Sequence, residues 1–294
     1  MREPSPEQRS LLEERGRARA DGDFARADAI RDQLHAQGWD VRDTAAGAEL
    51  LSRLETVEIH DRYAGVAARF GAPDALEFSV CVAMQGWPED VVRLRQALSS
   101  DQHDTEMVIV DVRRKGVTPG QLGAGGGPEV RVLRVEEEIG HAQAWTVAAR
   151  QARGRVLVFA EPSLEFGPQV LEGLAQALAE PGVGLVGPFG LASADQREFA
   201  PAAGPEVKAL EYLLAIRRAD MARVGEFDPY FSFYRNLDID FSYQVAHAGL
   251  AVRRVDCPGI QRHAHRLWES TPAEERERLS RKNFRRFLNR RVRS

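Results

Sequence analysis

Asp238 and Asp240 stand two residues apart in the stretch YRNLDIDFSYQVAHAG (residues 234–249), directly behind an aromatic run that starts at Phe227. Carboxylates at a loop-to-helix junction suit acid–base work, because the positive end of the helix steadies the charged form. Isolated aspartates there also serve simply as helix caps. Glu161-Pro162-Ser163 offers a carboxylate for a hard cation with a weaker hydroxyl beside it, and equally reads as a plain turn. Asp111 closes an apolar segment, where a turn residue and a ligand-binding residue look alike. His263, His265, Arg266 and Trp268 fall close together. In an extended segment the two histidines face opposite sides, so one metal would not take both.

The elements that must position these groups follow from periodicity. Phe241, Val245 and Ala248 lie on one helical face, and Gly249 ends that helix. From residue 78 onward, apolar strands (78–84, 107–112, 130–135, 155–160, 183–188) alternate with helical segments (89–98, 140–152, 168–178). Strand patterns recur at 212–218 and 250–255, residues 120–127 read as a flexible loop, and residues 187–190 as a glycine-lined wall. This is an α/β layer fold, in which ligands bind at the carboxyl ends of the strands.

Ahead of it, Ser5, Pro6 and Gln8 predict a capped helix running to Ala20. A second helix starts near Phe24, shows Phe24, Ala27, Ile30 and Leu34 on one face, and ends at Gly38. Such a hairpin (residues 1–50) has little core of its own, so docking or homodimerisation is expected of it. Residues 51–75 read as a linker, helical over 49–63 with a turn at 71–74, and residues 76–294 as the main domain. At the C-terminus Thr271-Pro272-Ala273-Glu274 predicts a capped helix ending in RKNFRRFLNRRVRS. Its seven basic residues suit nucleic acid, anionic lipid or an acidic partner. Phe284, Phe287 and Leu288 share one face, so docking on the domain with the arginines in water is expected.

The net charge of −4 gives no basic character overall. No apolar run nears the ~20 residues of a membrane span, and the N-terminus has no apolar signal core. Cys81 and Cys257 alone make no disulfide framework or metal site and read as buried thiols. A cytoplasmic protein is expected, with a peripheral contact at the inner face of the membrane as one option.

GEFDPYFSFYRNLDIDFSYQVAHAGL resembles the C-terminal signature of family 2 glycosyltransferases, G-x-F-D-x-x-F-x-F-Y followed by E-D-x-D and a helix ending R-x-x-x-x-G. The resemblance covers about two-thirds of the chain and implies a GT-A nucleotide-sugar domain. It makes Asp238 the general base of an inverting transfer, while the family's Glu is Leu237 here and its Arg is Gln244. It puts Asp111 on the nucleoside, with Ala83-Met84-Gln85-Gly86 at the base. Glu138-Ile139-Gly140-His141-Ala142-Gln143-Ala144-Trp145-Thr146 matches the family's N-x-G-x-x-x-A-x-N only at Gly140 and Ala144. Glu161, Ser163, Asp240, Arg266 and Trp268 fall to the nucleotide sugar, and Glu161 with His265 (His263 as second choice) to a divalent Mn or Mg. The family's Asp-x-Asp is Glu161-Pro162-Ser163 here, which weakens that metal site and leaves a degenerate, non-catalytic sugar-nucleotide or protein-binding module as the alternative. The acceptor, whether glycan, lipid-linked or small molecule, is not fixed.

LLEERGRARADGDFARADAIRDQLHAQGWDVRDTAAGAEL resembles the C-terminal tail of cysteinyl-tRNA synthetases through Arg26, Asp28, Arg31, Asp32, Asp43, Thr44 and Gly47. The rest of that family's motifs are missing. A reused docking hairpin or a retained tRNA contact follows, and the mixed charges favour the first.

Overall fold

The computed structural model describes residues 4–44, 47–52, 57–123 and 127–292. The chain divides into two units, residues 1–57 with 118–124, and residues 58–117 with 125–294.

In the first unit, α1 (Pro6–Ala20) carries the expected reciprocal cap, Gln8 N–H donating to Ser5 Oγ and Ser5 N–H to Gln8 Oε1. Helix α2 (Phe24–Ala36) follows. Beyond it comes an antiparallel β-hairpin, β1 (Trp39–Thr44) with β2 (Gly47–Ser52). The unit therefore has a small core of its own: Ile30, Leu34 and Trp39 are buried, with Leu11, Val41 and Leu50 against them. Phe24, expected on the inner face, is exposed. Of the helix expected over 49–63, residues 49–52 are strand, because Leu50 pairs with Val41 in the hairpin, and residues 57–60 form β3 (Val57–His60); residues 53–56 lie outside the described residues, and Tyr63 opens a short 3-10 turn.

The second unit is built on a sheet of eight strands. In chain order they are β3, β4 (Leu76–Met84), β5 (Thr105–Asp111), β6 (Glu129–Val135), β7 (Gly154–Ala160), β9 (Val183–Gly187), β13 (Leu213–Arg217) and β14 (Ala251–Arg254). Between β4 and β6 in sequence come α3 (Pro88–Ala97) and the short α4 (Pro119–Gly123), which belongs to the first unit and takes up part of the loop expected over 120–127; residues 124–126 are outside the described set. The strand order is β14-β9-β13-β7-β4-β5-β6-β3, with β7, β4, β5 and β6 mutually parallel and β13 antiparallel to both neighbours. Of the parallel strands, β4, β5 and β7 are nearly continuous buried, mainly apolar runs, as burial on both faces demands, whereas β6 alternates Val and Leu with Glu129, Arg131 and Arg134. Smaller pieces complete the unit: β8 (Leu164–Glu165), β10 (Phe189–Ala192), β11 (Ala200–Pro201), β12 (Ala209–Glu211) and β15 (Gln261–Arg262).

Helices α5 (His141–Gln151), α6 (Val170–Leu178), α7 (Arg218–Val224), α8 (Leu237–His247), α9 (Arg266–Ser270) and α10 (Ala273–Val292) complete the unit. Gly140, just before α5, admits no side chain: a Cβ there would lie 2.5 Å from Ser232 Cα. That close approach lets the His141 and Ala142 amides donate to the Ser232 and Phe231 carbonyls, tying the start of α5 to the aromatic loop before α8.

Helix α10 docks as its apolar face predicts, with Phe287 fully buried and Phe284 and Leu288 packed on the main core. The Thr271 hydroxyl, expected to cap it, donates to the Leu267 carbonyl at 2.5 Å, at the end of α9. Cys81 is buried, whereas Cys257 is only half-buried.

Candidate active site

The carboxyl ends of β4 and β7, the loop before α8 and the start of α9 meet around one buried acid. Glu161, one residue past β7, is 3 % exposed. His265 Nε2 lies 3.1 Å from its Oε2, and His141 Nε2 lies 3.5 Å from its Oε1. Each ring is oriented through its other nitrogen. The Trp268 amide donates to His265 Nδ1, and the Gln85 side-chain amide lies 3.3 Å from His141 Nδ1. An amide NH₂ only donates, so in the neutral rings both protons sit on Nε2; that of His265 meets Glu161, while His141 Nε2 makes no hydrogen bond among the described residues. Tyr234 stacks on His265 at 4.1 Å.

Burial alone would raise the Glu161 pKa, but His141, then the His265 hydrogen bond, hold it below the usual carboxylate value. Burial likewise opposes charge on His265, and the bond to Glu161 outweighs it, so His265 lies above a free histidine. His141 is lowered by burial.

This donor set does not fit a divalent metal. A metal binds an imidazole through a lone pair, and here both inward Nε2 atoms carry protons. Freeing the His265 lone pair would move its proton to Nδ1 and break the Trp268 cap of α9. One carboxylate and the Ser163 hydroxyl remain, so water and a nucleotide sugar's phosphates would have to supply the other oxygens around Mn or Mg. Among the described residues no cluster of three or more His, Cys, Asp or Glu could hold a metal ion. The surrounding pocket, lined by Gln85, Asp90, Glu161, Ser163, His265 and Arg266, has about 20 Å³ free, room for one water.

Asp238 lies in the first turn of α8, behind Asn236 in a left-handed conformation (φ 65°). Its Oδ2 accepts from the Tyr212 amide at 3.2 Å and its Oδ1 from the Ile239 amide at 2.9 Å. Its pKa is pushed up to about 7, first by burial and then by the neighbouring Glu211 carboxylate, against the pull of those two amides and of Arg235. Glu211 is itself raised by burial. Tyr212, also left-handed (φ 66°), turns the chain between β12 and β13 so that its amide meets Asp238 while its ring lies under the Arg262 guanidinium, 3.9 Å away.

The remaining expected site residues are placed differently. Asp240 is buried and lies 3.5 Å from Arg290 Nε. Asp111 accepts from the Lys115 and Gly116 amides, each at 3.1 Å, so its carboxylate closes the turn after β5. Arg266, expected on diphosphate, pairs with Glu89 and lies 3.5 Å from Asp90 of α3. Trp268, expected to stack on a sugar, has Arg276 over its ring at 4.7 Å and Arg235 at 5.6 Å. Ser163 lines the Glu161 pocket, and His263 pairs with Glu165 at 2.8 Å. Gln244, where the family pattern has Arg, donates to the Val224 and Glu226 carbonyls and accepts from Arg290, so α10 supplies the missing cation. His141 and Arg235 lie within sequence motifs that do not mark them as site residues, and Glu211 and Tyr212 lie outside those motifs.

The fold is that of GT-A glycosyltransferases. TarS of S. aureus (residues 1–349) superposes with a TM-score of 0.50 at 14 % identity, over 73 % of this chain and 72 % of that one. GalNAc-T7, crystallised with UDP, GalNAc and Mn²⁺, superposes with a TM-score of 0.51 at 16 % identity, over 73 % and 48 %. Residues 1–49 match the cysteinyl-tRNA ligase anticodon binding domain. The cysteine–tRNA ligase of Salinibacter ruber is 62 % identical over 40 residues, and that of Nitratidesulfovibrio vulgaris (strain DP4) 67 % over 39. These stretches are 14 % and 13 % of this chain, and the chain spans only 8 % of either ligase. Among the described residues no helix is long and apolar enough to cross a membrane.

Proposed function

We propose that this chain is a glycosyltransferase that moves a sugar from a nucleotide-diphosphate sugar to an acceptor hydroxyl with inversion. The observation carrying this reading is Asp238, held at a helix start by two amides with a carboxyl pushed up to about 7. A base titrating near neutrality both exists as carboxylate and accepts a proton readily. Asp238 takes the acceptor proton as the oxygen forms its bond to the anomeric carbon, and the bonding pair of the sugar–phosphate bond departs with the diphosphate. Superposition on GalNAc-T7, a protein crystallised with UDP, GalNAc and Mn²⁺, supports a donor of this class. A divalent metal, where present, would supply charge to the leaving diphosphate. The Glu161 cluster is not built to hold one, so Arg262, whose guanidinium lies over the Tyr212 ring, is the group of this chain that would face that charge.

A second reading, a non-catalytic module binding a sugar nucleotide or a protein, is favoured by one observation. The Glu161 pocket is nearly filled, and Arg266 is taken up by Glu89 and Asp90. Thermal shift with UDP, GDP and their sugars, each with and without Mn²⁺, separates the two when combined with Asp238→Asn. The transferase reading expects a donor shift that does not depend on Mn²⁺, kept by Asp238→Asn, whose transfer falls by about 10²–10⁴-fold. Donor binding without transfer by the native protein would leave the module.

A further inference from the structure

Beside Asp238 the surface opens into a hollow of about 550 Å³. Its wall includes Glu211, Tyr212, Arg235, Asn236 and Ile239, the residues bonded to or flanking the candidate base. Three arginines line it, Arg197, Arg235 and Arg281, together with Phe199 and Phe284. Arg235 is the unusual one. Its guanidinium makes no ion pair and no hydrogen bond among the described residues, and its Nε is shut off from water. The buried hydroxyl of Ser280, in the same wall, also lacks a partner. Besides the Trp268 ring 5.6 Å away, Arg235 has no partner among the described residues, and a half-buried guanidinium whose Nε lacks an acceptor suits a site where a ligand supplies one.

Arg281 pairs with Glu277 at 3.1 Å, but both side chains are more than half exposed, so that pair yields easily. Arg281 also lines a second groove of about 480 Å³ with Lys282, Arg285, Arg286 and the exposed ring of Tyr230. The hollow at Asp238 thus opens onto a cationic track along α10. Glu211 is the acidic group in the hollow, and burial raises its pKa, which makes it a donor to an anion once protonated. Several guanidinia around one point match the oxygens of a phosphate better than a single carboxylate, which one arginine satisfies.

We propose that the acceptor carries a phosphate group, bound in this hollow by Arg235 with Arg197 and Arg281 while its hydroxyl reaches Asp238. The inference rests on the transferase reading and names its acceptor class. The probe is glycerol 3-phosphate, with glycerol and malonate as neutral and dicarboxylate controls, read by the melting temperature of the full chain. The native protein is expected to respond to glycerol 3-phosphate and not to glycerol, and more weakly to malonate. Arg235→Gln should lower phosphate affinity about tenfold or more, with partial recovery in Arg235→Lys. Arg197→Gln with Arg281→Gln, at exposed positions where folding is not at stake, gives a second reading of the same site. No shift, or equal affinity in native protein and both variants, overturns the proposal. Binding to phosphatidylglycerol vesicles that glycerol 3-phosphate competes away would make the phosphate a lipid headgroup; soluble binding alone would make it a free phosphate ester, and either supports the site. UDP and GDP are measured on the same plate. If they fail while glycerol 3-phosphate succeeds, the phosphate site stands and the transferase reading falls.

Discussion

Asp238 combines a role in chemistry with a cost in stability, and both can be measured. Its ordinary value is 3.8, and folding pushes it to about 7. Between those values the unfolded chain has released the proton while the folded chain still holds it. A raised acid therefore destabilises the fold as pH rises through that window, by about 1.4 kcal/mol for each unit of difference. The carboxyl is partly exposed, so screening reduces the sum to a few kcal/mol at most. Asp238→Asn removes the ionisation. Its melting temperature should equal or trail that of the native protein near pH 4 and exceed it above pH 7. In the same range native kcat/KM should rise with pH through about 7, because only the carboxylate accepts a proton. A constant difference between the two melting curves from pH 4 to 8 would show that Asp238 titrates normally, and its assignment as base would fall with it.

At the scale of elements, the α8 loop is held from behind by α10. Asn283, 1 % exposed, donates to the Phe233 carbonyl at 2.7 Å and the Arg235 carbonyl at 2.8 Å, bracketing Tyr234. Asp228 is clasped by Arg286 at 2.8 Å and Arg290 at 2.5 Å, and Phe287 fills the core beneath. Asn283→Ala leaves two buried carbonyls unpaired and should cost about 1–3 kcal/mol. Phe287→Ala should cost about 3–5 kcal/mol through the cavity it opens. Chemical denaturation measures both, and transfer should drop more in Asn283→Ala than its stability loss implies, since that residue sets the backbone of Arg235. Equal transfer at matched folded fraction would deny α10 any part in positioning.

Much of this was legible beforehand. Alternating apolar runs announced the parallel strands, and the shared face of Phe284, Phe287 and Leu288 announced the docking of α10. What periodicity could not reveal were the groups brought together by backbone turns without a residue signature. Tyr212 and Asn236 take left-handed conformations that glycine normally marks, so nothing in the text of the sequence singles out the Asp238–Tyr212 bond. His141 reaches Glu161 across 20 positions, and Glu211 meets Asp238 across 27, distances at which spacing carries no information. Within the helix expected over 49–63, residues 49–52 went to the adjacent hairpin strand and residues 57–60 to a sheet position beside β6, far along the chain.

Across the whole molecule, charge is distributed unevenly between its two units. In the first, arginines are matched by acids: Arg15 and Arg19 meet Asp43, Arg26 meets Glu14, Arg31 meets Asp28 and Asp32, and Arg42 meets Glu49. The cationic track lies instead on α10 of the second unit. Polyanion binding depends on releasing counterions from phosphates, which requires cations free of internal partners. Residues 1–49 resemble an anticodon-binding domain in sequence, yet five of their arginines (Arg15, Arg19, Arg26, Arg31 and Arg42) face acids of the same unit, which offsets the local positive field and favours a scaffold reused for docking. The full chain should therefore bind tRNA no tighter than the ~10⁻⁴–10⁻⁶ M of non-specific contacts. Whatever binding there is should survive reversal of the hairpin charges in Arg26→Glu with Arg42→Glu and weaken in Lys282→Glu with Arg285→Glu. Filter binding at 50 and 200 mM salt decides it. Specific, tight binding of one tRNA that is lost with the hairpin variants would mean that the ligase-like segment has kept its RNA contact.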